Sequence, residues 1–254
     1  PERAAEEVFG ERLRPSFDLT KAKRILSLDA DFLSSEPGSN GLARGFAKGR
    51  KVRNQADAGQ MSRLYSVESN MTLTGSMADH RLRLSTSQIT AFTALLAAQV
   101  IEATGGDSAL ARVLRDRASG LSVDRQWIEA CVADLIENRG QSVVFAGSHL
   151  SKEAHVLSIF INRMLGAEGE TVRYLELPAH SAADIRELAS AIDSGRVESL
   201  VVLGGNPVYN APADLNWKQL QNSMQTGPAL QQVLFFEKRT HRYTRMFCSI
   251  MKKK

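Results

Sequence analysis

Residues 24–68 read RILSLDADFLSSEPGSNGLARGFAKGRKVRNQADAGQMSRLYSVE, and this stretch decides the fold class. Arg24–Leu28 and Arg63–Val67 are short apolar runs typical of buried strands, and a helical pattern lies between them near Gly41–Gly49. A strand, a helix and a second strand in this order predict a βαβ unit, in which the strands are parallel and the crossover is right-handed.

The remainder of the chain repeats this rhythm. Apolar runs bounded by turn residues predict further strands at Ser142–Ala146, Thr171–Leu177, Ser199–Leu203 and Gln232–Phe236. Helical spacing predicts helices at Ser87–Ala103, Ser108–Arg117, Val123–Asn138 and Ala182–Ser194, and another after Gly147. The sequence therefore predicts a Rossmann-like α/β fold, with parallel sheets and helices on both faces.

Three consecutive helices without a strand suggest how the chain is divided. We expect a first βα half at residues 1–104, a helical connection at 105–140 and a second βα half at 141–236. Beyond Glu237 neither the helical nor the strand period continues, so residues 237–254 are expected to form a disordered or non-native tail.

Composition excludes several functional classes. The net charge of +4 comes from this tail, because residues 231–254 hold seven Lys or Arg and one acidic residue, which argues against a folded nucleic-acid-binding face. No apolar run approaches the roughly 18 residues of a membrane span, so we expect a soluble chain without direct membrane insertion. Cys131 and Cys248 are too few and too far apart for a zinc or iron–sulfur site built from this chain's thiolates.

Loops that follow strands are the candidates for ligand binding, because open α/β sheets bind ligands beyond the carboxyl ends of their strands. Glu68 could accept hydrogen bonds from ribose hydroxyls, but no Gly-x-Gly-x-x-Gly fingerprint precedes it, so a solvated strand end is the favoured interpretation. The backbone N–H groups of Gly147 and Ser148 could face an anion at the start of the next helix.

The loop Gly204-Gly205-Asn206-Pro207 is the most specific of these candidates. The two glycines allow close approach of a phosphate or a ring, and the Asn206 side chain can recognise a base edge. A tight strand-to-helix turn that needs glycine only for steric reasons is the alternative.

The sequence predicts no catalytic residue and no metal ligand. Asp29 and Asp31 are interpreted as turn or capping residues, because one turn supplies too few ligands for a magnesium ion. Ser148 and His149 are adjacent, and no partner carboxylate can be named for them, so they do not form a nucleophilic pair.

Four segments together resemble the molybdopterin oxidoreductase family: Ile25–Leu33, Arg63–Glu68, Leu73–His80 and Leu203–Tyr209. The resemblance covers about residues 15–222. Within that family, the LDADFL and TGSMADH runs are most similar to the molybdopterin-like region of the B subunits of alternative complex III.

This resemblance implies a region of a respiratory electron-transfer subunit on the periplasmic side of the bacterial inner membrane. Its partners would be an iron–sulfur region and other subunits of a membrane-bound redox complex. Relatives that bind the cofactor usually carry Asp-Pro-Arg and Pro-Gly-Thr-Asp where this chain has Glu68-Ser69-Asn70 and Leu84-Ser85-Thr86-Ser87. We therefore expect a cofactor-free, structural region that is not catalytic by itself. The alternative is a molybdopterin guanine dinucleotide-binding domain of an active oxidoreductase, with Ser148, Gly205 and Asn206 at the nucleotide.

Overall fold

The computed structural model describes residues 1–177, 184–197, 199–203, 206–226, 232–239 and 242–248. The chain divides into two compact units, Pro1–Leu177 and Pro178–Lys254. In the first unit the helices are α1 (Glu2–Phe9), α2 (Ser39–Gly49), α3 (Leu73–Ser76), α4 (Thr86–Ala103), α5 (Ser108–Arg117), α6 (Arg125–Glu137) and α7 (Lys152–Met164). Its strands are β1 (Leu13–Phe17), β2 (Arg24–Leu28), β3 (Arg63–Glu68), β4 (His80–Arg83), β5 (Ser142–Ala146) and β6 (Val172–Glu176).

A four-stranded parallel sheet in the order β4-β3-β2-β5 forms the centre of the first unit. The predicted βαβ unit is present as β2, α2 and β3, and the two outer strands flank it. The α/β fold class, with a parallel sheet between helices, is therefore confirmed.

Strands β2, β3 and β5 are buried on both faces, which explains why they are apolar runs without a polar face, whereas the edge strand β4 is partly exposed. On one face Ile25 and Leu64 pack with Phe46 of α2. On the other face Leu26 and Val144 pack with side chains of α4, α6 and α7. The predicted helical connection thus covers a face of the sheet.

A buried carboxylate ties the amino ends of two strands to α6. Asp134 accepts hydrogen bonds from Arg24 Nε at 2.5 Å, from Arg63 Nη1 at 2.7 Å and from the Tyr65 hydroxyl at 2.8 Å. Burial opposes ionisation, but these bonds outweigh it and hold the pKa of Asp134 below its ordinary value. This network fixes α6 on the sheet at the end opposite the ligand-binding edge expected of this fold.

A two-stranded ribbon, antiparallel β1 and β6, makes a separate sheet in the same unit. The strand predicted at Thr171–Leu177 is therefore present, but it joins this ribbon and no parallel sheet. On the edge of β5, the Asn162 side chain bonds the N–H and the carbonyl of Val144 at 2.8 Å each. An amide side chain thus satisfies backbone groups that a further strand would otherwise pair.

The second unit contains helices α8 (Ile185–Asp193), α9 (Pro207–Asn210) and α10 (Trp217–Thr226). Its strands are β7 (Ser199–Leu203), β8 (Gln232–Arg239) and β9 (Arg242–Cys248). Strands β7 and β8 are parallel, and β9 is antiparallel to β8. Ile192, Leu200 and Trp217 belong to its apolar core.

Two expectations about chain organisation differ from the structure. Residues 141–177 belong to the first unit, because β5 pairs with β2, so the division falls after Leu177 and not within the helical segment 105–140. The expected tail at 237–254 also begins inside a strand, since β8 reaches Arg239 and β9 runs to Cys248. A neighbouring strand supplies the backbone pairing that residue periodicity does not reveal.

Candidate functional site

Parallel register brings three strand ends of the central sheet to one level. Leu28 at the end of β2 is opposite Val67 of β3 and Ala146 of β5. The loops that begin at Asp29, Ser69 and Gly147 therefore meet at the edge where sheets of this type bind ligands.

Asp29 lies at the centre of this edge with its backbone in the left-handed region, at φ 48°. Its buried carboxylate accepts hydrogen bonds from the Ser69 N–H at 3.0 Å and from Thr86 Oγ1 at 2.7 Å, and His149 Nε2 lies 3.2 Å from it. Burial favours the neutral acid, but these three partners outweigh it and lower the pKa of Asp29. The carboxylate is thereby kept ionised and fully engaged within the protein.

His149 and Asp29 form a pair that the sequence did not reveal. The His149 side chain is 53% exposed, whereas that of Asp29 is 7% exposed. A buried carboxylate that orients an exposed imidazole is an arrangement used in proton transfer, but Ser148 is not part of it. The Ser148 N–H instead bonds to another carboxylate. The partner carboxylate, which could not be named from the sequence, belongs to Asp29 in the loop directly after the neighbouring strand β2.

Gly147 is required by the close approach of two backbone segments. A Cβ at this position would lie 2.3 Å from the Asp29 carbonyl oxygen, a distance that real Cβ atoms do not show. The Gly147 N–H donates to the Leu28 carbonyl at 2.9 Å. This N–H was expected to face an anion, but it instead forms a hydrogen bond to the neighbouring strand β2.

The Ser148 N–H has a protein carboxylate as its acceptor. It donates to Glu36 Oε1 at 3.1 Å and to Oε2 at 3.3 Å, and Glu36 is only 6% exposed. Glu36 reaches this position from the loop between β2 and α2. A protein carboxylate thus occupies the place where the sequence predicted the anion of a ligand.

Glu68 is also enclosed, with 2% of the residue exposed. It accepts hydrogen bonds from Thr72 Oγ1 at 2.6 Å and from Arg81 Nε at 2.5 Å. Gly75 packs directly on it, since a Cβ there would lie 1.7 Å from Glu68 Oε1. The Glu68 carboxylate was expected to accept hydrogen bonds from ribose hydroxyls, but it accepts them from side chains of its own unit.

Asp31, the second acidic residue of this loop, orders the start of α3. Its Oδ1 accepts bonds from the Thr74 N–H at 3.0 Å and from Thr74 Oγ1 at 2.9 Å. Asp29 and Asp31 therefore accept hydrogen bonds from different segments of the chain and do not form one site. Within the described residues, no group of three or more His, Cys, Asp or Glu side chains is placed to hold a metal ion.

The candidate loop of the second unit is described only in part, because Gly204 and Gly205 lie outside the described residues. Asn206 is exposed and precedes α9, where its carbonyl accepts bonds from the Tyr209 and Asn210 N–H groups at 2.9 Å each. Asn206 thus begins a helical turn in its own unit.

Comparison of the chain with protein-family models and with curated proteins finds no match. Across the described part of the chain, no helix has both the length and the apolar character needed to cross a bilayer.

Proposed function

We propose that this chain is the molybdopterin oxidoreductase-like region of a respiratory electron-transfer subunit, and that it holds no cofactor and acts as a scaffold. The observation that carries this proposal is the Glu36 carboxylate on the Ser148 N–H. A protein group that occupies an anion position removes the need for a nucleotide phosphate there.

Charge supports the same conclusion. The strand-end loops hold three carboxylates, on Asp29, Asp31 and Glu36, and the charge of a fourth, Glu68, is paired with Arg81. A phosphate about 4 Å from one carboxylate is destabilised by roughly 4 kcal/mol at an effective dielectric constant near 20. The dinucleotide end of a molybdopterin cofactor carries two phosphates, so this edge disfavours it.

A surface near the same edge supports a role in protein contact. Met71, Leu73 and Met77 expose 68%, 55% and 48% of their surface within one short segment. We call these three side chains the methionine patch. Clustered exposed apolar side chains are typical of protein interaction sites, and methionine adapts to irregular partners. In the proposed subunit, on the periplasmic side of the membrane, this patch contacts the iron–sulfur region.

Ligand-dependent thermal unfolding tests the cofactor-free state. The purified chain is heated with and without guanosine diphosphate, and with extracted molybdopterin cofactor, because a ligand of the native state must raise the unfolding midpoint. We expect no shift and no molybdenum by elemental analysis. A clear rise that Asn206→Ala abolishes would replace the scaffold with a nucleotide-binding domain of an active oxidoreductase.

Substitution of the methionine patch tests the scaffold role. The membrane complex that contains this chain is purified through a tag on the chain, and quinol oxidation, iron and molybdenum are measured per chain. We expect iron and quinol oxidation without molybdenum, and loss of the iron–sulfur region from a Met71→Lys, Met77→Lys double variant. Val113→Lys, which changes a 52% exposed residue of α5, is the matched control. A complex without quinol oxidation, or an intact complex in the double variant, contradicts the proposal.

A further inference from the structure

The loop 50–61, between α2 and β3, is an ordered projection of the first unit. Its two ends are joined, because the Ser62 N–H donates to the Gly49 carbonyl and Arg50 Nη1 donates to the Ser62 carbonyl, each at 2.9 Å. Within the loop, Asn54 caps a short 3-10 helix, Gln55–Gln60. Residues 51–56 are all exposed. The loop therefore stands out from the surface on a closed base, as compact surface loops do.

Positive charge is concentrated on this loop and on the preceding helix. Between Glu36 and Asp57 the sequence holds five Lys or Arg and no acidic residue. One of the five, Arg50, is paired with Asp79. The other four are exposed, and none of them forms an ion pair within the described part of the chain: Arg44, Lys48, Lys51 and Arg53.

The geometry of α2 gathers these charges on one side. Arg44 and Lys48 lie one turn apart, on the face of the helix opposite its buried side chains Leu42 and Phe46. The loop continues from the end of this helix with its own two cations. Its acidic residue Asp57 offsets only part of their charge. Four cations with no protein partner therefore form one positively charged surface.

Two aliphatic side chains are exposed among these cations. Val52, between Lys51 and Arg53, exposes 45% of its surface, and Met61 at the end of the loop exposes 37%. Cations combined with exposed apolar side chains suit an anionic membrane surface, which attracts the charges and accepts the apolar groups at the boundary between headgroups and acyl chains. Surfaces for single-stranded nucleic acid stack bases on aromatic rings, whereas Phe46 in this stretch is only 4% exposed.

We propose that this surface contacts the headgroups of an anionic phospholipid bilayer. We call it the basic loop surface, and it consists of Arg44, Lys48, Lys51, Val52, Arg53 and Met61. Its cations bind lipid phosphates, and its two aliphatic side chains pack just below them. The contact is peripheral. It goes beyond the proposed scaffold function and does not depend on it, because it uses neither the strand-end loops nor the methionine patch.

Vesicle binding tests the role of charge. The 254-residue chain is sedimented with vesicles of phosphatidylcholine alone and with vesicles that also contain phosphatidylglycerol, and we expect binding to the second kind only. Each cation near an anionic membrane contributes about fivefold in affinity, so a Lys48→Gln, Lys51→Gln double variant is expected to bind roughly 25-fold more weakly. The matched control is Arg112→Gln, Arg117→Gln, which removes two exposed cations of α5 and is expected to bind like the parent. The lysine-rich carboxyl terminus is present in every variant, so the difference reports on the basic loop surface.

A fluorescent label at Val52 distinguishes a lipid surface from an acidic polypeptide. Val52→Cys is labelled with an environment-sensitive nitrobenzoxadiazole group in a Cys248→Ser background, in which the remaining Cys131 is buried. Its emission is expected to move to shorter wavelength with phosphatidylglycerol vesicles and to stay unchanged with polyglutamate.

Three results would overturn the proposal: equal binding of the parent and the Lys48→Gln, Lys51→Gln variant, equal binding to both kinds of vesicle, or no emission shift with vesicles. A shift with polyglutamate alone would also overturn it and would assign the surface to an acidic protein partner. Since no probe here is a guanine nucleotide or a molybdopterin, these outcomes leave the test of the scaffold function unaffected.

Discussion

Lowering the pH from 7.5 to 5 is expected to destabilise the unit Pro1–Leu177 through His155. This side chain is buried beside an apolar cavity, so its charged form is disfavoured in the folded protein and its pKa falls from 6.5 to about 4. In the unfolded chain water restores the ordinary value. Between pH 6.5 and 4 the unfolded state therefore binds more protons, and the free energy of unfolding decreases as the pH falls.

The size of this effect follows from the two pKa values. A pKa difference from 6.5 to about 4 corresponds to roughly 3 kcal/mol once both states are protonated, and to about 2 kcal/mol at pH 5. Other titratable groups that line the same cavity are Glu2, Arg14, Glu36 and Tyr174 and the amino terminus of Pro1.

Other carboxylates of the unit titrate in a different pH window. Asp29, Asp79 and Asp134 have pKa values below 3.8, because hydrogen bonds outweigh the opposing effect of burial. The stability that they contribute is present above pH 3.8 and is lost only below it. A loss between pH 7.5 and 5 therefore does not come from them.

Urea denaturation at the two pH values measures the effect. With Trp217→Phe as the background, the fluorescence of Trp127 reports on the first unit alone. His155→Gln is expected to lose most of the pH dependence, and His80→Gln, at an exposed histidine, is expected to keep it. If the parent changes by less than about 0.5 kcal/mol, or His155→Gln retains the full dependence, the assignment to His155 is refuted.

Two further substitutions test the packing that positions the strand ends. Asp134→Ala leaves two arginines without their shared carboxylate and is expected to lower the free energy of unfolding by about 3–5 kcal/mol in urea. The exposed Asp116→Ala should change it by less than about 0.5 kcal/mol, and equal effects would contradict the network. Gly147→Ala forces a methyl group against the Asp29 carbonyl and is expected to cost about 3 kcal/mol by the same assay. Gly41→Ala, where nothing lies within 4 Å, should be neutral or slightly stabilising, and a Gly147→Ala protein of parental stability would refute the close approach.

The local sequence pattern was sufficient to predict the three buried strands of the central sheet, but not its partly exposed edge strand β4. The predicted bounds of Arg24–Leu28 and Ser142–Ala146 agree with β2 and β5. Both strands are buried on two faces, so each is a continuous apolar run between turn residues, a signal contained within a few neighbouring positions.

Pairing between strands that are distant in the sequence could not be predicted from local pattern. Strand β1 was missed, since it contains Pro15 and its partner β6 lies more than 150 residues later. Residues 237–254 were expected to be irregular because β9 has no strand pattern of its own and is recognised only by its pairing with β8. Propensity in a strand depends on the neighbour against which it packs.

The candidate site divides between sequence and tertiary structure. Strand-end positions such as Gly147 and Glu68 could be identified from the sequence, because ligands of α/β sheets bind where strands end. The hydrogen-bond partners at these strand ends could not be identified from the sequence, since Glu36 and Ser148 are 112 residues apart and Asp29 and His149 are 120 residues apart. The sequence was enough to predict the buried strands β2, β3 and β5 and the helices α4, α5 and α6, because apolar periodicity is a local property. The carboxylates that accept the strand-end hydrogen bonds could be identified only from the fold, because those bonds depend on which strands become neighbours.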